Sequence, residues 1–313
     1  MRIAAIIAFC LPLLAVAQPV VPGFERFPRD TPAQQVTAGE VLITELNCVA
    51  CHASDKDQGQ RFQHRPAPIL FTHQNPAHDG WIRHWLLDPQ KLKPGTLMPD
   101  LMHSLDAKKK SEAVEALRHY LMTLSPSTGP EAAMIGNPVE GKKLYRSLGC
   151  AHCHAPDAQD NGRDIPLGEL RAKYTHANLI KFLRDPLQSR PAGRMPRMPM
   201  SEQESAHLSN FLRARFKPLD LHGLSRGSAA LKLQREGAKL YQSLRCANCH
   251  QSPKLNVQPA LAKPLAEVNP QRGCLAPKPT ASVPHFHLNT VQRAAITAAL
   301  QAKPAVPTML SET

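Results

Sequence analysis

A five-residue pattern, C-x-x-C-H, occurs three times in this chain and constrains it more than any other feature. The copies are Cys48-Val49-Ala50-Cys51-His52, Cys150-Ala151-His152-Cys153-His154 and Cys246-Ala247-Asn248-Cys249-His250. Their first cysteines lie 102 and 96 residues apart. The approach to each copy repeats as well. Gly39, Gly141 and Gly237 stand nine residues before the first cysteine, Leu42, Leu144 and Leu240 follow three residues on, and Leu46, Leu148 and Leu244 four after that. Spacing of three and four marks one face of a helix running into the motif. Tyr145 and Tyr241 match each other, with Ile43 in the first copy, and all these positions read as core packing.

The chemistry follows from the spacing. Two thiols separated by two residues can add to the two vinyl groups of one porphyrin, and the next residue then holds an imidazole under the iron, which is the attachment pattern of c-type haem. A lone pair of cysteines also suits a redox dithiol or half a zinc site. Three copies, each with its histidine, favour haem c over both. A disulfide scaffold would pair neighbours into tiny loops. Haem attachment is therefore expected at Cys48, Cys51, Cys150, Cys153, Cys246 and Cys249, with His52, His154 and His250 as proximal iron ligands.

The first 17 residues read as a secretory signal. Arg2 supplies the positive start, Ile3 to Leu14 the apolar stretch, and Ala15-Val16-Ala17 the cleavage site before Gln18. The apolar stretch is too short for a permanent span, and no later stretch is apolar enough for one. A lipid anchor on Cys10 is disfavoured by the bulky Phe9 before it. The mature chain is expected to be exported, in the periplasm or beyond. Of the eight cysteines, Cys10 leaves with the signal, six belong to the motifs and Cys274 is left over. A net charge of +13 suits an acidic redox partner, an anionic membrane surface or simple solubility, and export argues against nucleic acid.

Residues 18–36 hold Pro19, Pro22, Pro28 and Pro32 and read as an extended N-terminal arm. Each unit is expected to end in a second helix: Ser111 to Leu124 with Val114, Leu117 and Leu121 on one side, Ser201 to Phe216 opened by a Ser201/Glu204 capping box, and Thr290 to Ala302 capped by Asn289. Ahead of two of them stand Trp85-Leu86-Leu87-Asp88-Pro89 and Phe182-Leu183-Arg184-Asp185-Pro186, short helices halted at proline. The expected divisions are a signal at 1–17, the arm at 18–36, units at 37–124, 138–216 and 235–302, linkers at 125–137 and 217–234, and a tail at 303–313.

This arrangement resembles class I cytochrome c in triplicate over nearly all of residues 37 to 302. The resemblance implies an all-α fold of three tandem domains, each built round a covalent haem c. It also implies a distal methionine in a Met-Pro step after a proline-rich loop, and a proline carbonyl that accepts the other imidazole N–H. Met98 in KPGTLMPDL takes the distal place in the first unit, with Met102 as competitor. Met195 takes it in the second, leaving Met198 and Met200 as packing residues. Pro68, Pro166 and Pro259 are the candidate carbonyls.

The third unit departs from this pattern. Aligning SVPHFHLNTVQ with RMPRMPMSEQE puts Val283 at the methionine position, Pro284 at its proline, and Phe286 and Leu288 at the packing positions. The W/F-L-x-D-P segment is missing too. His285, His287 and Cys274 are the alternative distal ligands, and an open site is the third option. The remaining histidines read as ordinary structural residues, and His152, between the paired cysteines, is expected to point to solvent.

The leading expectation is an exported multihaem electron carrier. Two His/Met irons keep both ligands in either oxidation state, so electrons pass with little rearrangement. The alternatives place peroxidase-like chemistry, sulfur-compound oxidation or small-ligand sensing at the atypical third haem.

Overall fold

Helix-forming runs ended by proline, and capped by short polar side chains, account for most of this fold. The computed structural model describes residues 18–54, 61–70, 79–124, 134–154, 165–215, 224, 226–250, 262–281 and 283–302. The expected signal segment, the tail, and Pro259, His73, His78 and His222 lie outside the described residues, as do parts of both linkers. Among the described residues there is no β-strand, only the isolated bridges His52–Ala262 and Asp100–His285.

The longer helices are α1 (Pro32–Glu45), α2 (Asp79–Leu87), α3 (Ala107–Leu124), α4 (Pro138–Ser147), α5 (His176–Arg184), α6 (Glu202–Ala214), α7 (Ser228–Ser243) and α8 (Thr290–Gln301). Reciprocal capping boxes open α6, at Ser201 with Glu204, and α8, at Asn289 with Gln292. Asp88 and Asp185 close one helix and cap the proline-led turns Pro89–Leu92 and Pro186–Ser189. Proline is tolerated there because the first helical N–H has no intrahelical partner to lose.

The same rule corrects the reading of the N-terminal arm. Pro32 starts α1, where Thr31 and Gln34 form a capping box, and Pro22 starts a turn at Pro22–Glu25. The arm is also not an external strap, since Val21 and Phe24 are buried in a core. Gln292 donates to the Pro19 carbonyl at 2.8 Å, joining the arm to the last helix.

Three cores form, and two of them cross the division expected from sequence order. The middle unit closes on itself: α4 packs on α6, and Tyr145, Leu170, Leu179, Leu183, Leu208 and Leu212 fill the space between. In contrast, α1 of the first copy packs on α8 of the third, burying Leu42 and Ile43 with Leu288, Ala295, Ile296 and Ala299. Reciprocally, α7 of the third copy packs on α3 of the first, where Tyr241 meets Val114, Leu117 and Leu121. Each buried aliphatic or aromatic side chain contributes about 1.5–3 kcal/mol, so these contacts hold each pair together.

The glycines of the repeat make each helix crossing close. A Cβ on Gly141 would lie 2.1 Å from the His207 oxygen of α6. On Gly39 it would lie 2.0 Å from the Ala295 oxygen of α8, and on Gly237 2.1 Å from the Ala116 oxygen of α3. All three crossings are equivalent, and only the middle one is made within a single copy.

Candidate functional site

Each C-x-x-C-H folds into a tight turn after its leading helix. The residue before the first cysteine takes a left-handed conformation in every copy: Asn47 at φ 58°, Gly149 at 75° and Arg245 at 57°. Such a conformation costs a non-glycine residue some strain, and two of the three positions accept it. It ends the helix and opens the cysteine turn.

The second cysteine's carbonyl then accepts an N–H from a loop: Ile165 at 2.9 Å for Cys153, Ala262 at 2.7 Å for Cys51 and Ala67 at 3.0 Å for Cys249. The imidazole is fixed by the same loop. Nδ1 of His154 lies 2.9 Å from the Ile165 carbonyl, Nδ1 of His52 lies 2.7 Å from that of Lys263, and Nδ1 of His250 lies 3.0 Å from that of Pro68. With Nδ1 held in this way, Nε2 is left for a metal. Tyr145 and Tyr241 add a hydroxyl bond to the carbonyls of His154 and His250, at 2.8 and 3.0 Å.

These partners correct the expected carbonyls. Pro68 serves His250 rather than the histidine of its own copy, because the loop from 65 to 70 belongs with α7. Ile165 takes the place expected of Pro166, one residue earlier. His52 is served by Lys263, which is also in another copy.

Several of the thiols sit where an uncharged sulfur is favoured. Burial pushes the Cys48 and Cys246 thiols up to about 12 and that of Cys249 up to about 11, with neighbouring cysteines adding to each effect. A reactive dithiol needs the opposite, a depressed pKa, whereas a thioether carries no charge to desolvate. All seven described cysteines are unbridged. Among the described residues no group of three or more His, Cys, Asp or Glu is arranged to hold an ion, although Cys48, Cys51, Cys249 and Cys274 influence one another. The turns therefore fit covalent haem, with an imidazole fixed below each one.

The distal residues are placed as follows. Met195 and Met200 pack against the middle core, as does Cys150, and Met198 lines an outer cleft with Lys181, Arg184 and Arg197. Met98 sits with its sulfur 2.9 Å from Nε1 of Trp85. Trp85 in turn packs on the core that holds Cys246 and Tyr241. Met102 is buried in that same core, as a packing residue. Phe286 and Leu288 face the core of Leu42 and Ile43. The His285 and His287 rings stand 3.9 Å apart, and His103 meets His285 at 5.3 Å. His103 also bonds the Val283 carbonyl at 3.0 Å, and the Asp100 and His285 backbones pair. Cys274 is part-buried beside the first-copy cysteines, and its thiol is pushed up to about 11. His152 is exposed.

A family model described as Cytochrome c matches residues 138–215. The chain thus carries a cytochrome c domain, whose chemistry is covalently bound haem c and electron transfer. That stretch coincides with the one copy that closes on itself. Searches of curated proteins and of solved structures returned no match.

One feature was not read from the sequence: Asn47 and Asn248, flanking and inside two of the motifs, join the first attachment turn to the third. Their positions within the repeat differ, so no alignment of the copies would single them out.

Proposed function

We propose that the chain is an exported multihaem c-type cytochrome that carries single electrons through three covalently bound haem c groups. The supporting observation is the threefold repetition of one attachment geometry. A left-handed residue, a cysteine turn, a cysteine carbonyl bonded to a loop N–H and an imidazole bonded to a loop carbonyl recur at His52, His154 and His250. Haem c bound there supplies a one-electron iron centre. The protein's part is to fix the imidazole and hold the centres at constant separation.

The first and third turns adjoin across Asn248 and Cys51, which favours direct transfer between their haems. Export rests on the signal pattern at residues 1–17, with cleavage after Ala17. No helix among the described residues is long and apolar enough to cross a membrane. The positive charge suits an acidic redox protein or an anionic membrane surface, and nucleic acid is not the partner.

Mass spectrometry of the purified exported protein tests this reading. The expected mass is the chain from Gln18 with three haems attached through thioethers. A mass with a single haem would reduce the protein to a one-centre carrier. A second reading, a haem enzyme (peroxidase-like or sulfur-compound oxidising) or a small-ligand sensor, is supported by the distal segment 283–288, which has no methionine. Cyanide or carbon monoxide binding by one of the three haems would favour it. Three centres inert to both would exclude it.

A further inference from the structure

Sequence order pairs Met98 with His52 and leaves His250 without a methionine. The packing pairs them differently. We propose that Met98 serves the haem held by Cys246, Cys249 and His250, and that the centre without a methionine is the one on Cys48, Cys51 and His52. The assignment rests on the multihaem reading above.

Apart from the contacts of Asn47, Ala50 and Cys51, the groups that fix the His250 turn come from residues 65 to 124. Pro68 bonds its imidazole and Ala67 its cysteine carbonyl. Helix α3 crosses α7 at Gly237, and Tyr120 lies 5.5 Å from Tyr241. Trp85 packs in the core that contains Cys246 and points its N–H at the Met98 sulfur, 2.9 Å away. This set reproduces the middle unit element by element: loop, Asp-Pro helix, Met-Pro step and closing helix.

Apart from Asn248, the groups that fix the His52 turn come from residues 262 to 302. Lys263 bonds the imidazole, and Ala262 and Leu265 bond the carbonyls of Cys51 and Ala53. Arg61 pairs with Glu40 and donates to the carbonyls of Ala299 and Ala302, at the end of α8. The segment that closes this core, 283–288, turns Phe286 and Leu288 inward, and neither can ligate iron. His285 and His287 stack on each other, with His285 also against His103, where the first copy's distal segment runs.

The test tags one haem at a time in the full-length holoprotein. Removing the first cysteine of a motif leaves one thioether and one free vinyl, which moves that haem's optical band to longer wavelength. Cys48→Ala tags the first haem and Cys246→Ala the third, and each is combined with Met98→His. Exchanging methionine for histidine lowers the potential of the iron it ligates. The expected result is a downward shift in the midpoint of the tagged band in Cys246→Ala/Met98→His and none in Cys48→Ala/Met98→His. A shift in the Cys48-tagged protein, in both proteins or in neither overturns the assignment. If Met98→His does not accumulate, Trp85→Phe removes the N–H facing the Met98 sulfur while keeping an aromatic ring against Trp81, and is read by the same rule. A haem count below three in the parent protein would instead sink the three-haem reading, so the two failures are distinguishable.

Discussion

The side-chain nitrogen of Asn248 lies 3.3 Å from the sulfur of Cys51 and 3.2 Å from the carbonyl oxygen of Ala50. Nearly two hundred residues separate them in sequence, yet this contact fastens the third attachment turn to the first. Asn47 answers it from the other side: its side-chain nitrogen lies 3.9 Å from the Cys249 sulfur, and its oxygen accepts from Arg65 N at 3.0 Å. Asn248 is 5% exposed, so its loss would leave the Ala50 carbonyl buried without that donor. Asn248→Leu is expected to lower stability by about 1–3 kcal/mol, measured as a fall in the thermal midpoint of the holoprotein. The spectrum of the middle haem should not change. An unchanged midpoint would mean the two turns are not joined through this amide.

The crossed helix pairs make a second prediction. An alanine at Gly39 or Gly237 would place its Cβ within 2.0 or 2.1 Å of a backbone oxygen on the facing helix, so the helices must move apart. Overpacking of this kind costs about 1–3 kcal/mol, against the gain of about 1 kcal/mol that alanine brings to a helix interior. The location of the damage is more telling than its size. Gly39→Ala should speed amide hydrogen exchange in Thr290–Gln301, and Gly237→Ala should speed it in Ala107–Leu124. Acceleration in the helix of the same copy would contradict the exchange.

Local features were legible in the sequence because they depend on neighbouring residues. The capping boxes at Ser201 and Asn289, the helices halted before Pro89 and Pro186, and the glycine nine residues before each cysteine all stand where the spacing puts them. Which closing helix faces which glycine was not legible. The three leading helices carry the same glycine and leucine face, and any of the three closing helices offers a small or apolar stripe to receive it. Chain order then makes the nearest partner the default, and for Gly39 and Gly237 the default fails. The arm departs from expectation for a different reason: a proline count suggests an extended chain, whereas Pro22 and Pro32 stand at first helical positions, where proline is favourable.

For the middle unit, Met195→Ala gives the most direct check on distal ligation. Met195 is half-buried at the edge of a core otherwise filled by leucines and aromatic residues, so the truncated protein should still fold, with a loss at or below the low end of the 2–5 kcal/mol seen for a buried Met→Ala change. Its middle haem should gain cyanide binding and lose the far-red band of methionine-ligated ferric iron. Met198→Ala, at the outer cleft, should do neither. If Met198→Ala has the effect and Met195→Ala does not, the Met-Pro step has been aligned one methionine too early.

Three basic side chains meet where the middle unit packs against the first copy. Lys93 packs against Gly168, with its Cβ and Cγ 3.1 Å from where a Cβ there would stand. Lys173 reaches over the Trp81 ring at 4.9 Å, and Arg190 donates to the Tyr174 hydroxyl at 3.1 Å. Burial, followed by repulsion from Arg190 and Lys173, pulls the Lys93 pKa from 10.5 down to about 7. Between those two values the unfolded chain holds a proton that the folded chain does not, so this group's contribution to stability rises with pH across that window. Below pH 7 both states are protonated and the folded state bears the full penalty. Lys93→Met should therefore raise the thermal midpoint most below pH 7, and the gain should fade as the pH approaches 10.5. A gain that stays constant across the window, or a loss at low pH, would mean that Lys93 remains charged at the junction with an anion beside it.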